Sequence, residues 1–219
     1  MEANELYKAI NEAIMELDKE RLDELTEQAI AANVNVMEAV EMAYTPGIRS
    51  IGEKFEEGEI FVPELIHAGM MIKEAISTLE GQLKTGQAAK KGKFLIGTVE
   101  GDIHDIGKDL VSTMLATRGI EVIDVGVDCP AVKFIDAAVE NDVDIIGASC
   151  LLTTTAPELV KIVDLLKERD LRDKFYFVVG GAAIEEDWAK SIGTDGFAGD
   201  LQEAVKLALS LLEKKEGGA

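Results

Sequence analysis

The sequence predicts two folds in series, an all-α four-helix bundle over residues 1–84 and an α/β domain with a five-stranded parallel sheet over residues 93–219. Three observations predict this. Apolar residues recur at helical spacing through the first part. Short apolar runs alternate with amphipathic stretches in the second. Between them lies a small, polar, aperiodic segment.

In the first part, Leu6, Ile10, Ile14 and Leu17 form one stripe, and Leu22, Leu25 and Ala29 a second. Val36, Ala39, Val40 and Ala43 form a third. Leu65, Ala68, Ile72, Ile76, Leu79 and Leu83 form a long fourth. Breaks are expected at Asn33-Val34-Asn35, at Thr45-Pro46-Gly47 and from Gly58 to Pro63, where turn formers cluster. Helices with such short connections fit an antiparallel bundle. Thr85 to Gly92 (TGQAAKKG) reads as a linker, expected to act as a hinge. Beyond it, Phe94–Val99, Val122–Val125, Val143–Ala148 and Phe175–Val179 read as buried strands, with Gly196-Phe197-Ala198 a weaker fifth. The stretches 108–117, 131–140, 157–169 and 202–212 have helical length and amphipathicity. Five strands alternating with helices favour a flavodoxin-like (Rossmann-like) sheet in the order 2-1-3-4-5. Ligands of such sheets bind beyond the carboxyl ends of the strands, where the order reverses. That directs attention to the loops 100–107, 149–155 and 180 onward.

Composition narrows the function. The 42 acidic residues against 22 basic ones give a formal charge of −20 over 219 residues. Phosphate backbones and anionic membrane surfaces repel such a chain, so neither nucleic acid nor membrane is an expected partner. No run reaches the roughly 20 apolar residues that span a bilayer. The acidic Met1-Glu2-Ala3-Asn4-Glu5 start lacks the features of a signal peptide. The two cysteines, Cys129 and Cys150, form no CxxC and read as reduced, packed thiols of a cytoplasmic protein.

The loop after the first strand reads Glu100-Gly101-Asp102-Ile103-His104-Asp105-Ile106-Gly107. It sets one of only two histidines between carboxylates at a strand tip. A ligating imidazole usually hands its second ring N–H to a carboxylate, which fixes the tautomer and raises basicity; Asp102 is placed for that. Gly107 would let backbone approach a bulky group. A surface loop with an incidental histidine is the competing reading. A zinc site would need three or four protein ligands, and the remaining candidates have no recognised spacing. One histidine alone suits a metal whose other ligands come from a macrocycle.

Three motifs, each at a predicted strand end, now line up. Asp102-Ile103-His104-Asp105-Ile106-Gly107 is followed, after residues 108–148, by Ser149-Cys150-Leu151, and after residues 152–179 by Gly180-Gly181. This resembles the D-x-H-x-x-G, S-x-L and G-G signature of the cobalamin-binding domain shared by methionine synthase and corrinoid proteins of methyltransferase systems. The stretch Phe55 to Leu65 (FEEGEIFVPEL) is similar to the helical cap of the same proteins.

The resemblance implies that cobalamin or a related corrinoid binds base-off and His-on, with His104 as the axial cobalt ligand. Asp102 would hold its other nitrogen. Thr155 stands where the family's relay has a serine. Gly101, Ile103, Asp105, Ile106 and Gly107 would line the cofactor face. Ser149, Leu151, Thr153, Gly180 and Gly181 would line the slot for its nucleotide tail. Phe61, Leu65 and Met70 are candidates to cover the upper face, with ordinary bundle core as the alternative. His67 reads as a partly exposed helix residue, and Trp188 as packing a short helix beyond the glycine pair.

The function so implied is a methyl carrier. It takes a methyl group on Co(I) from a methylated substrate through one methyltransferase, and gives it from methyl-Co(III) to an acceptor such as tetrahydrofolate or a thiol, for example coenzyme M, on a second. A substrate-specific methyltransferase, an acceptor methyltransferase and a reductive activation protein are the expected partners. Two other functions compete. A corrinoid-binding sensor would need an attached DNA-binding or signalling module, for which 219 residues leave no space. A flavin or phosphate binder is disfavoured because the loop after strand 1 carries carboxylates instead of a phosphate-cradling run.

Overall fold

The computed structural model describes residues 3–81 and 92–217. The chain divides into two compact units, Met1–Lys84 and Thr85–Ala219.

In the helical unit, α1 (Ala3–Met15) buries Leu6, Tyr7, Ile10, Ala13 and Ile14. It stops at Leu17, whose φ of 55° turns the chain, and Asp18 then caps α2 (Lys19–Ala31) by accepting the Arg21 N–H at 3.0 Å. The expected break at Thr45-Pro46-Gly47 does not occur. A helical rod runs from α3 (Val36–Ala39) through a π-helical turn (Val40–Tyr44) into α4 (Thr45–Glu56). The physical reason is that Pro46 falls in the first turn of α4, where its missing N–H costs no bond. The wide π turn, closed by Thr45 N–H to the Val40 carbonyl, makes room for its ring. Gly47 serves packing instead: a Cβ there would meet Ile14 Cγ2 at 2.8 Å. Beneath it Tyr44 and Thr26 share a buried 2.8 Å hydrogen bond, and burial pushes the Tyr44 phenol up to about 12. Next, α5 (Val62–Glu80) buries Ala68, Met71, Ile72, Ala75, Ile76 and Leu79. Its start is fixed by Glu64, which accepts the Phe61 N–H at 2.8 Å.

The second unit is the expected doubly wound sheet. Its strands are β1 (Gly92–Thr98), β2 (Ile120–Asp124), β3 (Ile145–Ser149), β4 (Tyr176–Gly180) and β5 (Gly196–Ala198). All pair in parallel in the order β2-β1-β3-β4-β5. The helices α6 (Ile106–Thr117), α7 (Ala131–Asn141), α8 (Pro157–Glu168), α9 (Glu186–Ile192) and α10 (Leu201–Gly217) alternate with them. Leu95, Ile146, Phe134, Ile162, Phe177 and Val179 anchor the core, and Trp188 packs at its edge. The expected linker over 85–92 lies outside the described residues except for Gly92. That residue belongs to β1, paired with Ile120, and its bare Cα is needed because a Cβ would stand 2.6 Å from Leu212.

The register places the site. Thr98 of β1 lies beside Ser149 of β3, Ser149 beside Gly180 of β4, and Gly180 beside Ala198 of β5. The three sequence motifs therefore leave the sheet along one edge, on both sides of the point where strand order reverses.

Candidate functional site

Asp102 is 0% exposed, although it sits in a surface turn. Its Oδ1 lies 2.6 Å from His104 Nδ1 and also accepts the His104 N–H at 3.1 Å. Its Oδ2 accepts the Leu151 N–H at 2.7 Å and the Leu152 N–H at 3.3 Å. Burial alone would raise the Asp102 pKa; the bonds from His104 and Leu151 outweigh it and hold the carboxyl below its ordinary value. An ionised carboxylate only accepts, so Nδ1 of His104 carries a proton and Nε2 is the ring nitrogen turned away from the carboxylate. The imidazole is half exposed. Thr98 fixes the loop from below by donating its hydroxyl to the His104 carbonyl at 2.9 Å. The result is a half-exposed imidazole held in one orientation at a strand tip.

The other expected site residues fall around this pair. Gly101, Ile103 and Gly107 are exposed, Ile103 at 72%, while Asp105 and Ile106 are half-buried. Gly107 opens the first turn of α6 with nothing within 4 Å of where a Cβ would stand, so packing does not demand a glycine there. Leu151 and Thr153 are exposed on the loop after β3, and Ser149 is half-buried. Thr155 is buried, and among the described hydrogen bonds its hydroxyl does not reach Asp102. It donates to the Leu152 carbonyl at 3.0 Å and lies 3.3 Å from Cys150 Sγ. Its link to the relay runs through the loop whose amides hold Asp102. At Gly181, φ is +121° and a Cβ would meet the Cys150 carbonyl oxygen at 2.1 Å; at Gly180 it would meet the Ala198 oxygen at 2.9 Å. The glycine pair thus seats one strand-end loop against the next.

In the helical unit, Phe61 and Met70 are 70% and 68% exposed, and Leu65 is half-buried. Neither Phe61 nor Met70 belongs to the bundle core. Val62, Ile66 and Met70, four residues apart, make an exposed apolar row along α5. His67 is exposed on the same helix. Sequence reasoning missed two contributors, the Leu152 amide and the Thr98 hydroxyl. No motif announces a backbone donor, and a strand-end threonine is too common to stand out.

The donor set defines a class of protein. Among the described residues no group of three or more His, Cys, Asp or Glu could hold a metal ion, and both cysteines are free and buried. The strand edge offers one prepared imidazole, flanked by the space over Gly107 and the exposed Ile103, Leu151 and Thr153. That suits a metal carried in a macrocycle, which supplies the equatorial ligands and needs one donor from below. The comparisons agree. The B12 binding domain family matches residues 92–208, and a second B12 binding domain family matches residues 6–80. The chain belongs to the B12-binding corrinoid proteins, and its cofactor is cobalamin or a related corrinoid.

It is 38% identical over 212 residues to a corrinoid protein of Desulfitobacterium hafniense (strain Y51), spanning 95% of this chain and 98% of that one. It resembles the solved Methanosarcina barkeri monomethylamine corrinoid protein with a TM-score of 0.87 and 32% identity, covering 94% and 98% of the two chains. A third likeness is to a chain of the methanol:cobalamin methyltransferase complex of the same organism, with a TM-score of 0.54 and 26% identity over 96% and 81% of the chains. Among the described residues no helix is long and apolar enough to cross a membrane.

Proposed function

We propose that the chain is a methyl carrier of a methylamine-type transfer system, with His104 as the axial ligand of a base-off corrinoid. One observation carries this reading: the buried Asp102 carboxylate lies 2.6 Å from Nδ1 of a half-exposed His104, which leaves Nε2 as the nitrogen free to face a metal at the strand edge. The corrinoid, when bound, supplies a cobalt that takes up a methyl group in its reduced state and later yields it. The chain's residues do the rest. His104 would hold the corrinoid, and Asp102 would keep its ring oriented through Nδ1, 2.6 Å away. Leu151 and Leu152 hold that carboxylate through their amides, and Thr155 holds their loop. Gly101, Ile103, Asp105, Ile106 and Gly107 line the cofactor face, and Ser149, Leu151, Thr153, Gly180 and Gly181 bound the slot for the nucleotide tail. Phe61, Leu65 and Met70 are the apolar side chains of the helical unit that would shield a bound corrinoid from water.

Likeness to the monomethylamine corrinoid protein supports a methylamine donor over methanol. A substrate-specific methyltransferase, an acceptor methyltransferase using tetrahydrofolate or a thiol such as coenzyme M, and a reductive activation protein complete the cycle, in the cytoplasm. The test is direct. The chain is loaded with cobalamin, reduced, and mixed with monomethylamine and a monomethylamine methyltransferase. The visible spectrum should change to that of a methylated corrinoid. Methylation from methanol and its own methyltransferase alone would overturn the donor, and methylation from neither would overturn the carrier.

A further inference from the structure

We infer that Asp128 is a positioning residue for the cobalt-side imidazole, gripping the backbone of the relay carboxylate from a third loop. This rests on His104 being the axial ligand. Asp128 lies in the turn between β2 and α7, 27 positions from Gly101 in sequence. Its Oδ1 accepts the Gly101 N–H at 2.7 Å, and its own N–H donates to the Asp102 carbonyl at 2.9 Å. The two bonds bracket Asp102 along the chain, one on the peptide before Gly101 and one on the peptide after Asp102. The carboxylate of Asp102 is held from the opposite side by the Leu151 and Leu152 amides. Backbone and side chain of the relay acid are thus fixed by separate loops, and the His104 ring takes its direction from that acid.

The supporting turn is itself tied down. Cys129 N–H donates to the Thr98 carbonyl at 3.0 Å, and Thr98 N–H to the Gly126 carbonyl at 2.9 Å. Asp128 adopts φ 50°, a conformation costly for most side chains but tolerated by Asp. Its side chain is exposed, so the residue adds nothing to the core. A position that holds a left-handed backbone at the surface would accept glycine at least as readily. The carboxylate is what glycine would lack, and its one described bond is to the loop carrying Asp102 and His104.

The test uses the full chain with His67→Gln, so that His104 is the sole histidine, labelled with 15N-histidine and loaded with cob(II)alamin. The unpaired electron of Co(II) points at the axial ligand, so the ligand nitrogen splits the EPR lines. A 15N doublet reports protein histidine; a 14N triplet reports the cofactor's own base. Asp128→Gly keeps the backbone conformation and removes the acceptor, while Asp128→Asn keeps the acceptor. Asp128→Gly should lower the ratio of histidine-on to histidine-off cobalt by about tenfold, the effect of one charge-assisted hydrogen bond. Asp128→Asn should stay near the parent.

An unchanged ratio in Asp128→Gly, or an equal fall in Asp128→Asn, overturns the proposal. So does a lowered melting temperature with unchanged splitting, which is the mark of a merely structural turn. If the parent itself gives no 15N doublet, the ligand assignment has failed and not the positioning role alone. Should Asp128→Gly not retain the corrinoid, nitrogen NMR of the apo chain decides. The parent should show His104 as one tautomer protonated at Nδ1, and Asp128→Gly a mixture. A single unchanged tautomer would overturn the proposal.

Discussion

Replacing Gly181 by alanine tests whether the strand-end loops are mechanically coupled to the relay. The added Cβ would stand 2.1 Å from the Cys150 carbonyl oxygen and 2.7 Å from its carbon, against a floor of 3.0 Å for real contacts. The Cys150 peptide must therefore retreat by about 0.9 Å, the difference between those two distances. The φ of +121° is itself a region that alanine resists. Together the strain and overpacking should cost about 2–5 kcal/mol, which a domain of ordinary stability survives. The next residues of the moving segment, Leu151 and Leu152, are those whose amides hold Asp102 at 2.7 and 3.3 Å. Urea denaturation of the apo chain should show a lower midpoint at unchanged slope. Cobalamin retention on gel filtration should fall with it. Gly180→Ala, whose Cβ would meet the Ala198 oxygen at 2.9 Å, should cost less on both measures. A Gly181→Ala protein as stable as the parent, or less affected than Gly180→Ala, would refute the reasoning.

Gly107→Ala should have the opposite sign in the apo chain. The site is open and helical, so alanine should stabilise by about 0.5–1 kcal/mol while weakening cobalamin retention, read by thermal melts and gel filtration. Asp102→Asn should remove an acid-sensitive contribution. The native carboxyl is held below its ordinary value, so its stabilisation is complete above the unfolded aspartate pKa of about 4 and is lost as pH falls through the lower native value. The stability gap between parent and Asp102→Asn, followed by urea midpoints from neutral to acid pH, should narrow below about pH 4. Thr155→Val keeps the methyl group and removes the hydroxyl bonded to the Leu152 carbonyl, so it should cost about 1 kcal/mol in urea. It should leave His104 able to bind cobalt, because Asp102 takes its bonds from Leu151 and Leu152.

Most of the sheet domain was legible in sequence because buried parallel strands read as unbroken apolar runs, such as Phe94–Val99 and Phe175–Val179. Even the short β5 showed itself. The His104–Asp102 pair was legible because the two residues are neighbours on one loop. Contacts made across the fold were not. Nothing in Thr45-Pro46-Gly47 says that a π turn will absorb the proline, since its neighbours decide that. Gly180-Gly181 looked like room for a ligand, and the Cys150 and Ala198 backbones that require it belong to the ends of other strands. Thr155 sits at the family's serine position, yet its hydroxyl turns to Leu152 and Cys150, a choice of rotamer that spacing does not encode. Asp128 carries no motif and acts 27 positions away.

A crystal structure of the chain loaded with cobalamin would weigh most. It should place Nε2 of His104 on the lower face of the cobalt, with Nδ1 still bonded to Asp102 and the displaced benzimidazole lodged near Gly180 and Gly181. A benzimidazole still seated on the cobalt, with the His104 ring turned aside, would contradict the account at its centre.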